Sequence, residues 1–201
     1  MRSRGSFALG SSVEGVLYPG SYIELMESEG TIAELNFYIF NKTCQLLEQW
    51  QVKGCDLFLS CNFSRITIGR EFLFQRIKEI AEKHAFDHPR LIIEITEDAM
   101  ESNREAAFQN ISKCKKLGFH IALDDAGSGY TSFADLRDYP IDIVKIDRSI
   151  LDATVTQRST ALLRGVTALI HDLEMDVLCE DAETQAQADL LREIGYDYIQ
   201  G

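Results

Sequence analysis

Oxygen- and nitrogen-tipped side chains recur at the ends of short apolar runs. Asn62 closes LFLSCN, Glu94 closes LIIE, Asp124 and Asp125 close IALDD, Lys145 and Asp147 close IVKID, and Glu180 closes VLCE. Crowded carboxylates repel one another and are costly to desolvate, so packing alone does not explain such a set. A divalent metal does. Hard cations such as Mg²⁺ and Mn²⁺ take oxygen ligands, retain waters and are often shared with phosphates. Asn62, Glu94, Asp124 and Asp125 offer oxygen ligands of that kind. Two such ions about 3.5–4 Å apart can activate water and stabilise both oxygens of an in-line displacement at phosphorus. Asp124 could bridge the ions while Asp125 binds one. Each residue also has a plainer reading. Asp124-Asp125 could be a strand-end turn with a helix-capping Asp. Lys145 could sit in a buried ion pair with Asp147 or a neighbouring carboxylate, or touch a phosphoryl oxygen. Glu180 is either a ligand or a general base.

The elements that would gather these groups are buried parallel strands, since the runs are rich in Val, Ile and Leu and alternate with helical patterns. In a barrel of such strands the C-terminal ends converge on one face. The expected fold is therefore α/β, a TIM-like (β/α) barrel. Six strands are legible where such a barrel wants eight, and the shortfall lies at the ends. Helical patterns run from Ser21 with a break at Gly30, over Arg70–His84 with Phe72, Phe74, Ile77 and Ile80 apolar, and from Thr96 to Gly118 at a C′ position. Further helices cover about Ser132–Arg137, Gln157–Leu173 and Thr184–Ile194. Residues 1–15 are expected to be irregular, and residues 16–201 to form one domain.

At 201 residues and 45% hydrophobic content the chain can bury one sizeable core. Its formal net charge of −12 argues against a nucleic-acid polymer as partner. A small phosphate ligand remains compatible where metal ions reverse the local sign. No segment has the roughly 18 apolar residues of a membrane span, which argues against membrane insertion. The five cysteines lack CxxC spacing and read as reduced cytosolic thiols. His84, His88 and His171 fall on helix ends or turns and are expected to be solvated.

Four motifs stand in order: Glu94-Ile95-Thr96-Glu97, Asp124-Asp125-Ala126-Gly127-Ser128-Gly129-Tyr130, Lys145-Ile146-Asp147-Arg148-Ser149 and Glu180-Asp181-Ala182-Glu183-Thr184-Gln185. They resemble the EIT-E, DDFGxGYSS, KIDxSF and EGVET-Q signatures of EAL domains, the phosphodiesterases of cyclic di-GMP. Cys61-Asn62-Phe63-Ser64 resembles that family's N-x-S strand end, and Gln200-Gly201 its closing QG. The resemblance implies a barrel of the EAL type that hydrolyses cyclic di-GMP to linear pGpG. It implies that Asn62, Glu94, Asp124, Asp125 and Glu180 hold two Mg²⁺ or Mn²⁺ ions, with Lys145 beside the attacked phosphate. Glu183 and Gln200 would complete the pocket, and Glu97 would anchor the loop after Asp125, although Glu97 reads nearly as well as a first-turn glutamate.

Ala126 replaces the signature's Phe, and Asp181-Ala182 replaces its Gly-Val. No E-A-L occurs in the chain. If the family's E-A-L-x-R is laid against the start, Met1-Arg2 falls on x-R and Arg2 becomes a phosphate contact. The barrel would then lack its first strand and be incomplete at both ends; the alternative makes Met1–Gly15 an unrelated leader or tag. Exposed strand edges would favour a homodimer. Sensory or GGDEF-type domains would lie outside these residues. A second expectation is a catalytically degenerate EAL module that binds cyclic di-GMP or a protein partner and relays a signal.

Overall fold

Six strands run parallel and pair in the order in which the chain makes them, each joined to the next through at least one helix. They are β3 (Leu59–Phe63), β4 (Leu91–Thr96), β5 (His120–Ala126), β6 (Ile143–Ile146), β7 (Asp176–Cys179) and β8 (Tyr198–Ile199). The computed structural model describes residues 9–11, 15–17, 22–98, 103–126, 133–146, 156–180 and 182–200. Ahead of the sheet, β1 (Leu9–Ser11) and β2 (Gly15–Leu17) form an antiparallel pair in which Leu9 faces Leu17. This corrects the expectation of an irregular start for those residues, because a ladder of three backbone pairs needs no side-chain alternation to mark it.

The helices are α1 (Ile23–Ser28), α2 (Ile32–Val52), α3 (Arg65–Ile68), α4 (Leu73–Ala81), α5 (Arg104–Lys116), α6 (Phe133–Asp138), α7 (Gln157–Asp172) and α8 (Gln185–Ile194). The apolar stripes of α2, α4, α5 and α7 cover one face of the sheet. From α2 the stripe is Ile32, Ala33, Phe37, Phe40, Cys44 and Leu47, the i, i+3/i+4 spacing of a core-facing helix. Phe40 meets Phe63 and Phe119 at ring-centroid distances of 5.8 Å, tilted against one and edge-on to the other, and full burial of such a ring is worth about 2–3 kcal/mol. In α4 the buried stripe is Leu73, Ile77, Ile80 and Ala81. Phe72, expected inside, is half exposed because it sits at the helix cap, one residue off that stripe.

Two more expectations change at this level. The pattern from Thr96 to Gly118 is not one helix, since α5 starts only after Asn103, whose φ of 52° is left-handed. Gly118 does end α5, with φ +104°. His84 and His88 are not simply solvated. His84 is bonded to Asn41 and Glu48; His88 donates from Nδ1 to the Leu117 carbonyl and lies against Phe86 and Phe119. Among the described residues, no helix is long and apolar enough to cross a membrane.

The other face of the sheet carries a small apolar layer of Ile92, Ala122, Ile143 and Leu178, with Tyr198 packed against it. Strand side chains alternate faces with period two. The residues two positions further along each strand therefore share this face: Glu94, Asp124, Lys145, Glu180 and Gln200. The strands are short, so these positions fall at their C-terminal ends.

Candidate active site

Lys145 lies at the centre of that second layer. Its Nζ is 3.0 Å from Glu94 Oε1, 2.8 Å from Asp124 Oδ1 and 2.7 Å from Glu180 Oε1. All four residues are buried, Lys145 to 1% exposure. Burial alone would pull the ammonium down. The three adjacent carboxylates outweigh it and hold the group above the ordinary lysine range. Of the alternatives left open for Lys145, the pair is formed by Glu94, Asp124 and Glu180; Asp147 lies outside the described residues.

Consecutive residues of a strand point to opposite faces, so Asp124 and Asp125 could not both serve one site in a regular β5. Two local features resolve this. The β5–β6 register shifts between Leu123 and Ala126, as at a bulge. Asp125 has φ 57°, a left-handed conformation that Asp tolerates better than most residues. Its amide donates to Asp124 Oδ1 at 3.1 Å. As a result, ligand oxygens of Asp124, Asp125 and Glu180 lie within 4.8 Å of one another, with Asp125 exposed at the mouth.

Asn62 is exposed and stands opposite Glu94 in the β3–β4 register, on the same face. Its strand end is held from α2. The Asn36 side chain donates to the Asn62 carbonyl at 3.3 Å, and accepts from the Ser64 amide at 3.2 Å and the Thr67 hydroxyl at 2.7 Å. Ser64 also caps α3 by accepting from the Thr67 amide. Sequence reading passed over Asn36. Its signal was a polar residue set among Ile32, Ala33, Phe37 and Phe40 on the buried stripe of a helix.

The remaining expected residues are more peripheral. Gln200 is half-buried at the end of β8, its amide bonded to the Cys179 carbonyl and its carbonyl to the Ala182 amide. Those two bonds tie the chain on both sides of Glu180 to the end of the last strand. Glu183 is exposed, and its amide donates to Gln187 beside the Thr184 capping box that opens α8. Glu97 is buried directly after β4; of the Asp125–Tyr130 loop that it was expected to anchor, residues 127–130 lie outside the described residues. So do Arg2 and Asp181.

The donor set fits hard divalent cations. Glu94, Asp124, Asp125 and Glu180 bring four carboxylates to one mouth, and Lys145 brings one ammonium to three of them. That excess of negative charge, presented through oxygen atoms, is what Mg²⁺ or Mn²⁺ neutralises.

Comparison with known proteins agrees with the fold. The EAL domain profile matches residues 8–201. Signaling protein YkoW of Bacillus subtilis is 32% identical over 184 residues, 91% of this chain and 23% of that protein. Cyclic di-GMP phosphodiesterase NbdA of Pseudomonas aeruginosa is 30% identical over 190 residues, 94% of this chain and 24% of that protein. The chain thus spans about a quarter of the length of these curated relatives. Among solved structures, the PaMucR phosphodiesterase in complex with c-di-GMP has a TM-score of 0.88 at 25% identity, covering 96% of this chain and 79% of that one. An EAL domain protein from Listeria monocytogenes has a TM-score of 0.85 at 27% identity, covering 98% and 77%. These likenesses make the α/β architecture a TIM-like barrel of the EAL type, and the chain belongs to the EAL domain family.

Proposed function

We propose that this chain is a metal-dependent phosphodiesterase domain that hydrolyses one phosphodiester of cyclic di-GMP and releases linear pGpG in bacterial second-messenger signalling. The observation that carries this reading is the cluster at the strand ends, where Glu94, Asp124 and Glu180 surround Lys145 and Asp125 stands alongside. A relative named for cyclic di-GMP hydrolysis and a solved neighbour described as a c-di-GMP complex support the substrate. Asn62, Glu94, Asp124, Asp125 and Glu180 would hold the ions. When bound, Mg²⁺ or Mn²⁺ polarises phosphoryl oxygens and makes water a better nucleophile.

The chain's own groups do the rest. Lys145 holds three carboxylates at one spot against their mutual repulsion, and its ammonium would lie beside the attacked phosphate. Glu180 serves as ligand or as proton acceptor. The apolar layer of Ile92, Ala122, Ile143 and Leu178 closes the floor against water. Gln200 and Glu183 contribute the rim on the β8 side. Among the described residues β3 and β8 are the outer strands of the sheet, and such edges would favour a homodimer.

The test is incubation of the protein with cyclic di-GMP and Mn²⁺, with product read by chromatography. Turnover should fall by about 100-fold or more in Asp124→Asn, since loss of an inner ligand should exceed the 10–100-fold cost of an outer contact. Unchanged turnover in that variant would reject the ligand assignment.

A second reading is a catalytically degenerate EAL module that binds cyclic di-GMP or a protein partner and relays a signal. One observation favours it: Lys145 pairs with Glu94, Asp124 and Glu180 at once and so competes with a metal ion for their oxygens. Binding of cyclic di-GMP without product would select this reading.

A further inference from the structure

The end of β3 is held by a side chain in the way that a neighbouring strand would hold it. β3 is the first strand in the sheet order. The Asn62 carbonyl and the Ser64 amide form one acceptor and one donor, two residues apart, which is the pair a residue of a parallel strand bonds to. Asn36 supplies both complements, with Nδ2 on the Asn62 carbonyl at 3.3 Å and Oδ1 under the Ser64 amide at 3.2 Å. The Thr67 hydroxyl, itself 2.9 Å from Ser64 Oγ, adds a third bond to Oδ1 at 2.7 Å. Asn36 is only 6% exposed, so water does not stand in readily when these bonds are lost. The three bonds end on the turn Asn62–Thr67, while the apolar neighbours of Asn36 on α2 serve the core.

We infer that Asn36 is a positioning residue. By fixing the main chain on either side of Phe63, it sets the direction in which the Asn62 side chain leaves β3 beside Glu94, and so sets the affinity of the site for a divalent cation. Asn36 reaches neither ion nor substrate itself; its effect passes through Asn62. The inference rests on the metal reading proposed above.

The test is Mn²⁺ binding to the full chain without substrate, followed by the electron paramagnetic resonance signal of free Mn²⁺. Asn36→Ala removes all three bonds and should raise the Mn²⁺ Kd by about 10-fold or more, the usual effect of losing an outer-shell contact. Asn36→Asp keeps both acceptor bonds and loses only the donor to Asn62, so its Kd should rise by about threefold. Ile170→Ala, in the equally buried interior of α7, should lower thermal stability by opening a cavity and leave the Mn²⁺ Kd unchanged. A wild-type Kd in folded Asn36→Ala overturns the inference, as does equal loss of affinity in Ile170→Ala, which would make the effect one of general stability. Should Asn36→Ala not fold, Asn36→Asp decides: a wild-type Kd there overturns the role, and the expected rise upholds it. Failure of the wild-type chain to take up Mn²⁺ at all is a separate result, which rejects the metal reading and the role of Asn36 with it.

Discussion

Replacing Lys145 by methionine would leave Glu94, Asp124 and Glu180 facing one another in a buried layer. Removing one partner of a buried ion pair costs about 3–5 kcal/mol, most of it from the stranded charge. The metal-free variant should therefore be less stable by about that amount in urea unfolding, and Mn²⁺ should recover more stability in the variant than in the wild type. Equal stability would mean that the carboxylates do not need the ammonium. The pH sign follows from the raised lysine. A group held above its ordinary value contributes fully below that value and loses its contribution as pH rises through the folded-state value. The Lys145 ammonium should thus stay charged across the neutral range and lose its contribution on the alkaline side, as a falling melting temperature would report. Thiols offer an independent check on packing. Burial pushes Cys44 and Cys114 up to about 12 and Cys61 further up, and Cys179 is buried in β7. Cys55 is half-buried before β3. A disulfide reagent at neutral pH should modify Cys55 first and reach the other four only on unfolding; fast reaction of Cys61 would contradict the packing of α2 on β3.

Two glycines in the helical elements have opposite roles. Gly118, at φ +104°, would place an added Cβ 3.2 Å from His88 Cβ. Gly118→Ala should cost about 1–3 kcal/mol, because a left-handed alanine is strained and His88 is held by Leu117 and the flanking rings. Gly165, inside α7, has nothing within 4 Å of an added Cβ. Gly165→Ala should stabilise by about 0.5–1 kcal/mol, mostly by restricting the unfolded chain. Chemical denaturation of both variants checks the pair, and destabilisation by Gly165→Ala would show that α7 packs against something else on that side. β5 shows how an element can reshape a motif. Its register shift and the left-handed Asp125 turn two successive carboxylates toward one mouth, something a regular strand forbids.

For the molecule as a whole, cation binding should couple to stability. A ligand that binds only the folded state at 100 times its Kd adds about 2.7 kcal/mol. Saturating Mn²⁺ should therefore raise the melting temperature reversibly, chelation should lower it again, and Asp124→Asn should abolish the shift. An equal shift in Asp124→Asn would place the cation elsewhere on this acidic chain of net charge −12. Much of the architecture was legible because the apolar runs repeat. The strand at Asp176–Cys179 and the helix ends near Gly118 and Thr184 fall where local pattern and capping put them. Boundaries drifted where a cap interrupts an apolar stripe, as at Phe72, or where a left-handed residue such as Asn103 breaks a helical pattern.

Residue order by itself determined which side chains end the strands, because period-two alternation and short strand length are local properties. It thereby named Glu94, Asp124, Lys145 and Glu180 as a set. Only the tertiary structure decided that one ammonium would answer three carboxylates, that a bulge would bring Asp125 beside Asp124, and that an amide from α2 would hold the turn at Asn62. Each of those contacts joins residues from separate elements or needs a backbone departure from the regular strand. Their distances are set by how neighbouring strands shear and how helices pack, and neither quantity is written in any single stretch of chain.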